Sequence, residues 1–151
     1  MAEEMKIVEL KKEHLSMVTA LEGLCFSHPI SEGNLKMLLP GGIGRGFIIV
    51  DEERNVAAAY GGIIIAADEG QILNIATHPD YRRLGYGRMI MNAIVEHSRE
   101  NNVAFITLEV RESNIPAISL YEEMGFYKVG RLKGYYNTPK EDGLILRLDL
   151  A

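Results

Sequence analysis

The residues with the clearest capacity for chemistry lie at positions 74–87, read Asn-Ile-Ala-Thr-His-Pro-Asp-Tyr-Arg-Arg-Leu-Gly-Tyr-Gly. Residues 72–76 are an apolar run that reads as a strand, and Pro79 stops it because proline has no N–H for a ladder. Arg83, Leu84, Gly85, Tyr86, Gly87 and Arg88 then form a basic turn before a helical pattern begins. A strand, a Gly/Arg turn and a helix start together make a place to hold an anion. Unpaired backbone N–H groups and the positive end of the helix dipole converge on one spot. Glycine at 85 and 87 lets a ligand approach the backbone without meeting a Cβ. The turn is not a Rossmann fingerprint, because Ile90 occupies the third glycine position.

Other chemistry-bearing residues are scattered. Glu109 ends an otherwise apolar run at 105–108, and is either an edge charge facing solvent or a group with work to do. Tyr121 shares a helical stripe with Ala117, Leu120 and Met124, which suits an aromatic packing residue with its hydroxyl at the edge. Asn114 is a good N-cap for that helix. Tyr135 and Tyr136 read as paired loop tyrosines, able to cover a peptide backbone or to brace a hairpin. Cys25 has no base partner in sequence and reads as core, not as a nucleophile. His14, His28, His78 and His97 lack metal-ligand spacing, so no metal is expected.

The elements that must position these residues follow from periodicity. A strand is expected at 5–10, and a helix at 11–25 with Leu15, Val18, Leu21 and Cys25 on one face. The segment Phe26-Ser27-His28-Pro29-Ile30 breaks the helix, and Ser31 can cap a short second one carrying Leu35, Leu38 and Leu39. The glycine cluster at 40–46 reads as a loop and is not a Walker motif, since no Gly-Lys-Ser/Thr follows. Strands are expected at 47–50 and 56–66, joined by a polar hairpin, with Gly61-Gly62 marking a bulge or a close backbone approach. Next come a strand at 71–77, a helix at 84–99 and a buried strand at 103–110. A helix then runs from Asn114 to an αL residue at Gly125. Strands at 126–132 and 144–150 flank a connection holding Tyr135 and Tyr136. The order β-α-α-β-β-β-α-β-α-β-β predicts a mixed α/β sheet covered by helices, in a single domain spanning residues 1–151.

Composition excludes several classes. The chain is 47% hydrophobic and 25% charged, which suits a globular protein. A net charge of −5 argues against direct nucleic-acid binding. The single cysteine cannot form an internal disulfide, which suits a reducing compartment. Met1-Ala2-Glu3-Glu4 is acidic with no apolar run behind it, and no stretch has the length of a membrane span, so a cytoplasmic protein is expected.

With Arg82, Gly85 and Gly87, the turn resembles the Arg/Gln-x-x-Gly-x-Gly/Ala signature of the GNAT acetyltransferase superfamily. A second match follows in order: Asn114, Ala117, Leu120-Tyr121-Glu122 and Gly125-Phe126 resemble that superfamily's Asn…Ala…Leu-Tyr-Glu…Gly-Phe element. Residues 26–31, 74–76 and 108–111, Tyr135-Tyr136 and Glu141-Asp142 are similar to the bacterial ribosomal-protein-alanine N-acetyltransferases, so the likeness spans nearly the whole chain. One departure stands out. Ile30 follows Pro29 where that family usually has tryptophan, and this chain has none.

The resemblance implies a mostly antiparallel central sheet with helices on both faces, and acetyl-CoA as co-substrate. Transfer would be direct, to the N-terminal α-amine of a protein or peptide, a ribosomal protein being the family's example. A small-molecule amine acetyltransferase and a catalytically silent acetyl-CoA-binding module are the alternatives. By the same resemblance the N–H groups of residues 83–88 wrap the pyrophosphate. Ile75, Ala76 and Thr77 line the pantetheine arm, one of their N–H groups polarising the thioester carbonyl. Asn114 contacts the cofactor from the other side. Glu109 becomes the general base acting through water, and Tyr121 the general acid to the departing thiolate. Tyr135 and Tyr136, with Phe26 and Pro29, border the acceptor. An α-ammonium with a pKa of about 8 is cheaper to deprotonate than a lysine at about 10.4, by about 3 kcal/mol, which favours an α-amine for one modest carboxylate base.

Overall fold

Long β-branched and apolar runs separated by short polar turns assemble into one seven-stranded sheet. The computed structural model describes residues 5–151. The acidic segment at 1–4, on which the expectation of no leader rests, lies outside the described residues. The strands are β1 (Ile7–Glu9), β2 (Gly44–Asp51), β3 (Val56–Ala66), β4 (Glu69–Thr77), β5 (Phe105–Arg111), β6 (Tyr127–Asn137) and β7 (Lys140–Asp149). They lie in the order β1-β2-β3-β4-β5-β7-β6. Every adjacent pair is antiparallel except β4 and β5, which are parallel and joined by the crossover helix α3 (Tyr86–Glu100).

Helices cover both faces, as expected. On one face α1 (Leu15–Cys25) and the short α2 (Glu32–Leu35) bury Leu15, Val18, Leu21 and Leu35 against Ile48, Ala57, Tyr60 and Ala76. On the other, α3 sets Ile90, Met91 and Ile94 against Ile49, Ala59, Ile63 and Ile106, and α4 (Ile115–Glu123) adds Tyr121. The helices sit close to the strands. A Cβ on Gly62 would fall 2.3 Å from Leu38 Cδ1, so this glycine is a close backbone approach. The bulge also expected near it belongs to the partner strand. Gly62 pairs with Asn74 and Ile63 with Ile72, leaving Leu73 unmatched on β4.

Several boundaries differ from the sequence expectation. The first strand is shorter than 5–10, and Lys12–His14 forms a 3₁₀ turn before α1 begins. The glycine cluster turns into strand already at Gly44. Most consequentially, β6 and β7 are long enough to include the expected connection. Tyr136 pairs with Glu141 and Asn137 with Lys140, so Tyr135 and Tyr136 lie on a strand, not in a loop. Asp142 accepts from the Gly134 N–H at 2.8 Å, and the register shifts between Leu132 and Tyr136, which hid the continuation from a period-two reading. Among the described residues no helix is long and apolar enough to cross a membrane.

Candidate active site

The site is built by a parting of two strands. β4 and β5 pair only through Glu69–Phe105, Gly70–Ile106 and Gln71–Thr107, and beyond that they diverge. The gap opens a cavity of about 620 Å³. Its walls are residues 72–75 of β4 and 108–111 of β5. Phe26, Ser27, His28 and Ile30 close it from the segment after α1, and Tyr135, Tyr136, Thr138 and Pro139 from the β6–β7 hairpin; Asn114 and Tyr121 come from α4 and its cap. Residues 72–77 therefore have a sheet partner, β3, on one side and an open backbone edge on the other. An extended ligand can add to such an edge as a strand would.

The turn before α3 is shaped for an anion. Gly85 is the N-cap at φ +85°, and no side chain satisfies the cap. Arg83, exposed, also has a positive φ of +65°. Gly87 is in the first helical turn, where glycine costs about 1 kcal/mol against alanine. The protein's own packing does not demand it: an added Cβ would meet nothing nearer than Leu120 Cδ2 and Thr77 Oγ1, both at 3.7 Å. Glycine there leaves room for a group approaching the helix start, which is what a pyrophosphate needs. Arg88 is held by Glu123 of α4, whereas Arg83 has no ion-pair partner among the described residues. Leu84 and Ile115 are 59% and 61% exposed on the elements flanking this surface.

Glu109 lies on the strand face shared with Thr107 and Arg111, since β5 alternates in burial. Gln71 Nε2 donates to Glu109 Oε1 at 3.3 Å from the last paired position of β4. The contact holds the carboxylate at the mouth of the gap. Tyr121 is buried on α4 beside Phe126, with ring centroids 5.8 Å apart. Burial pushes its phenol up to about 12, and the Tyr136 ring adds to the effect. Tyr136 is likewise raised to about 12, by burial first and then by the Glu109 charge, with Arg111 opposing. Glu109, Tyr121 and Tyr136 thus converge on one space.

Arg111 organises the hairpin side of the cavity. Its guanidinium donates to Pro139 O at 2.8 Å, to Thr138 O at 3.0 Å and to Glu141 Oε1 at 3.0 Å. It also lies 4.3 Å above the centre of the Tyr136 ring. The Arg111 guanidinium, and then the Ser113 hydroxyl, hold the Glu141 carboxyl below its ordinary value. Ser27 Oγ donates to Thr138 O at 3.0 Å, tying the segment after α1 to the hairpin. Tyr135 stacks edge-on to Tyr136 at 5.0 Å and is half exposed.

The structure therefore brings together Ile75, Glu109, Asn114, Tyr121, Tyr135, Tyr136 and Phe26 around one cavity. Ala76 and Thr77 continue β4 past it, and residues 83–88 lie at the start of α3 beyond. Pro29 is exposed and does not line the cavity, although its neighbours His28 and Ile30 do. Asn114 caps α4 through its Oδ1, accepting from Ala117 N at 3.4 Å, while also lining the cavity. Cys25 is only half buried. Its Sγ donates to Thr77 O at 3.5 Å, and burial raises its thiol, which disfavours a nucleophilic thiolate.

Residues that sequence reasoning missed include Gln71, Glu22 and the role of Arg111. Gln71 and Glu109 are 38 positions apart and meet only through the parallel pairing. Glu22 carried a legible signal, a charge within the apolar stripe of α1 set by Leu15, Val18 and Cys25. It is fully buried and accepts from Tyr60, Asn74 and the Ile30 N–H. No group of three or more His, Cys, Asp or Glu among the described residues is placed to hold a metal.

Comparison with known proteins matches this geometry. The ribosomal protein bS18-alanine N-acetyltransferase of Escherichia coli strain K12 is 38% identical over 96 residues, covering 62% of this chain and 65% of that relative's length. A putative enzyme of the same name from Bacillus subtilis is 31% identical over 137 residues, covering 91% of this chain and 90% of the relative. The crystal structure of the Escherichia coli ribosomal-protein-S18-alanine N-acetyltransferase superposes with a TM-score of 0.87 at 29% identity, over 98% of this chain and 95% of that one. Residues 16–126 match the acetyltransferase (GNAT) family, and with the parted strands, the glycine turn and the site between them, the chain belongs to that family.

Proposed function

We propose that this chain transfers the acetyl group of acetyl-CoA directly to an amine, the N-terminal α-amine of a protein or peptide being the acceptor. The observation that carries the reading is the open edge of β4 beyond Gln71, with Glu109 and Tyr121 facing the same gap. The relatives' names, which specify an alanine of a ribosomal protein, support a protein acceptor. A single free cysteine fits a reducing, cytoplasmic setting.

Acetyl-CoA supplies the activated thioester. The N–H groups at the start of α3 hold its pyrophosphate, with Arg83 adding charge and Gly87 leaving room. Ile75, Ala76 and Thr77 offer backbone groups to the pantetheine arm, and an N–H of this strand polarises the thioester carbonyl. Asn114 borders the arm from α4. Glu109, through water, takes the proton from the acceptor amine, and Gln71 holds the carboxylate in place. The new C–N bond forms as the C–S bond breaks, and the Tyr121 hydroxyl donates to the departing sulfur. Tyr135, Tyr136 and Phe26 flank the acceptor chain, whose polypeptide lies between the hairpin and the segment after α1. The expected Pro29 contact has no counterpart in the cavity lining.

One assay tests the reading. The protein is incubated with acetyl-CoA and a panel of peptides, lysine-containing peptides and small amines, and the acetyl group is located by mass spectrometry. Label on peptide α-amines is expected. Label confined to polyamines or other small amines overturns the acceptor assignment. Tight acetyl-CoA binding without turnover overturns the catalytic one.

A further inference from the structure

Glu22 is the one fully buried carboxylate among the described residues, and the mechanism above leaves it unused. Three donors meet it. The Ile30 N–H donates to Oε1 at 2.9 Å, and Asn74 Nδ2 donates to Oε2 at 2.8 Å beside a short contact from the Tyr60 hydroxyl. Tyr60 is wholly enclosed, and burial, reinforced by the Glu22 charge, holds its phenol far above the ordinary value. The three donors come from different places: β3, β4 and the segment after α1. Two of them, Asn74 and Ile30, line the cavity.

The consequence lies in the Asn74 amide. A carboxylate accepts and does not donate, so it takes the NH₂ end of the asparagine. Among the described residues the other end, Oδ1, makes no hydrogen bond, and it is not among the enclosed atoms lacking a partner. It therefore has accessible surface, and Asn74 is a cavity-lining residue. Oδ1 is an acceptor beside the open edge of β4. An arriving ammonium, or the first N–H of a peptide, is a donor.

We propose that Glu22 is a positioning residue for the acceptor: it fixes the Asn74 amide so that its oxygen faces the incoming amine, and it pins Ile30 of the opposing wall in the same step. Asn74 is the group that touches the acceptor, and Glu22 acts through it. The inference rests on the amine-acetylation reading. Glutamine at position 22 keeps the shape but has a single acceptor oxygen, so it cannot serve Oε1 and Oε2 donors together. Its NH₂ faces either Ile30 N–H or the Asn74 NH₂, and an Asn74 flip would present a donor to a donor.

The test uses the whole chain, acetyl-CoA and a short peptide beginning with alanine. Glu22→Gln and Asn74→Ala are each expected to raise peptide KM about tenfold, the loss of one hydrogen bond to a charged group, with acetyl-CoA Kd by calorimetry held within about twofold. In the Asn74→Ala background, Glu22→Gln is expected to add little further, because the two act as a unit. The Asn74 side-chain NH₂ and Ile30 amide resonances are expected to shift in Glu22→Gln even without substrate. A lowered melting temperature with unchanged peptide KM makes Glu22 merely structural and overturns the proposal. If Glu22→Gln does not fold, an unchanged KM in Asn74→Ala overturns it alone. Should the wild-type protein acetylate no amine, the transfer reading fails separately, and peptide Kd in the presence of CoA takes the place of KM. Equal peptide Kd in wild type and variants, or no peptide binding at all, then overturns the positioning role.

Discussion

Tyr121 keeps its proton throughout the working pH range, because burial raises its phenol to about 12. Set against a thiol near 8.5, full proton transfer to the sulfur is uphill by about 5 kcal/mol, at 1.36 per unit. In the proposed transfer the hydroxyl therefore acts by donating a hydrogen bond that strengthens as charge develops on sulfur, an interaction made in the transition state more than in the ground state. Tyr121→Phe is expected to lower kcat by about 10²-fold while leaving acetyl-CoA Kd nearly unchanged; equal turnover removes Tyr121 from the mechanism. Glu109→Gln is expected to lower kcat/KM by about 10²–10⁴-fold, with acetyl-CoA affinity retained in calorimetry. The pH dependence follows from the same shift. A phenol raised from 10.0 in the unfolded chain to about 12 in the fold retains its proton longer when folded, so the stability it contributes is complete below pH 10 and is lost as pH climbs through about 12. No falling limb from Tyr121 is therefore expected below pH 10. The rate should rise toward a plateau near the acceptor's pKa of about 8, and Tyr121→Phe should lower that curve without moving its inflection. A falling limb between pH 8 and 10 that disappears in Tyr121→Phe contradicts this assignment.

At the scale of elements, the start of α3 offers a substitution in which stability and binding move in opposite directions. Gly87 sits in a helical turn with 3.7 Å of clearance around a new Cβ. Gly87→Ala is expected to stabilise the fold by up to about 1 kcal/mol, read as a raised melting temperature, because alanine is the better helix former. The same methyl occupies the approach to the helix N-terminus, so acetyl-CoA Kd should rise about tenfold or more. Unchanged affinity would show that the pyrophosphate does not use this turn. The glycine turn and α4 were legible because their signals are local: a φ-positive cap at Gly85, an Asn114 cap, a Pro116 in the first turn. What was not legible depends on pairing between distant segments. Leu73 becomes a bulge only against β3, Gln71 meets Glu109 only through the parallel pairing, and Tyr135 joins a strand only because β7 extends to Lys140. Glu22 is intermediate. Its place in the apolar stripe was readable, but its three donors come from three other segments.

The whole molecule is a sheet that is continuous at one end of β4 and β5 and split at the other. On one side of the split lie β1 to β4, and on the other β5, β7 and β6, so the gap interrupts the sheet near its middle. Helix α3 packs on β2, β3 and β4 from one face, and its Ile90, Met91 and Ile94 belong to the same apolar core as Ile106 and Leu108 of β5. On the opposite face the two halves meet more weakly, through Ser27–Thr138 and Gln71–Glu109. A ligand whose extended arm pairs with β4 would close the split and bind only the folded state. At 100 times Kd such a ligand stabilises by about 2.7 kcal/mol. For a chain of this length that corresponds to a rise in melting temperature of about 5–11 °C. Acetyl-CoA is accordingly expected to raise the melting temperature by that order. Hydrogen-exchange protection should increase in peptides covering residues 72–77 and 83–88, and change little in β1 and β2. CoA lacking the acetyl group should do nearly as much, since the proposed contacts are those of the pantetheine arm and pyrophosphate. Protection that instead appears uniformly, or only in peptides from β6 and β7, would place the ligand away from the open strand edge and remove the donor half of the site.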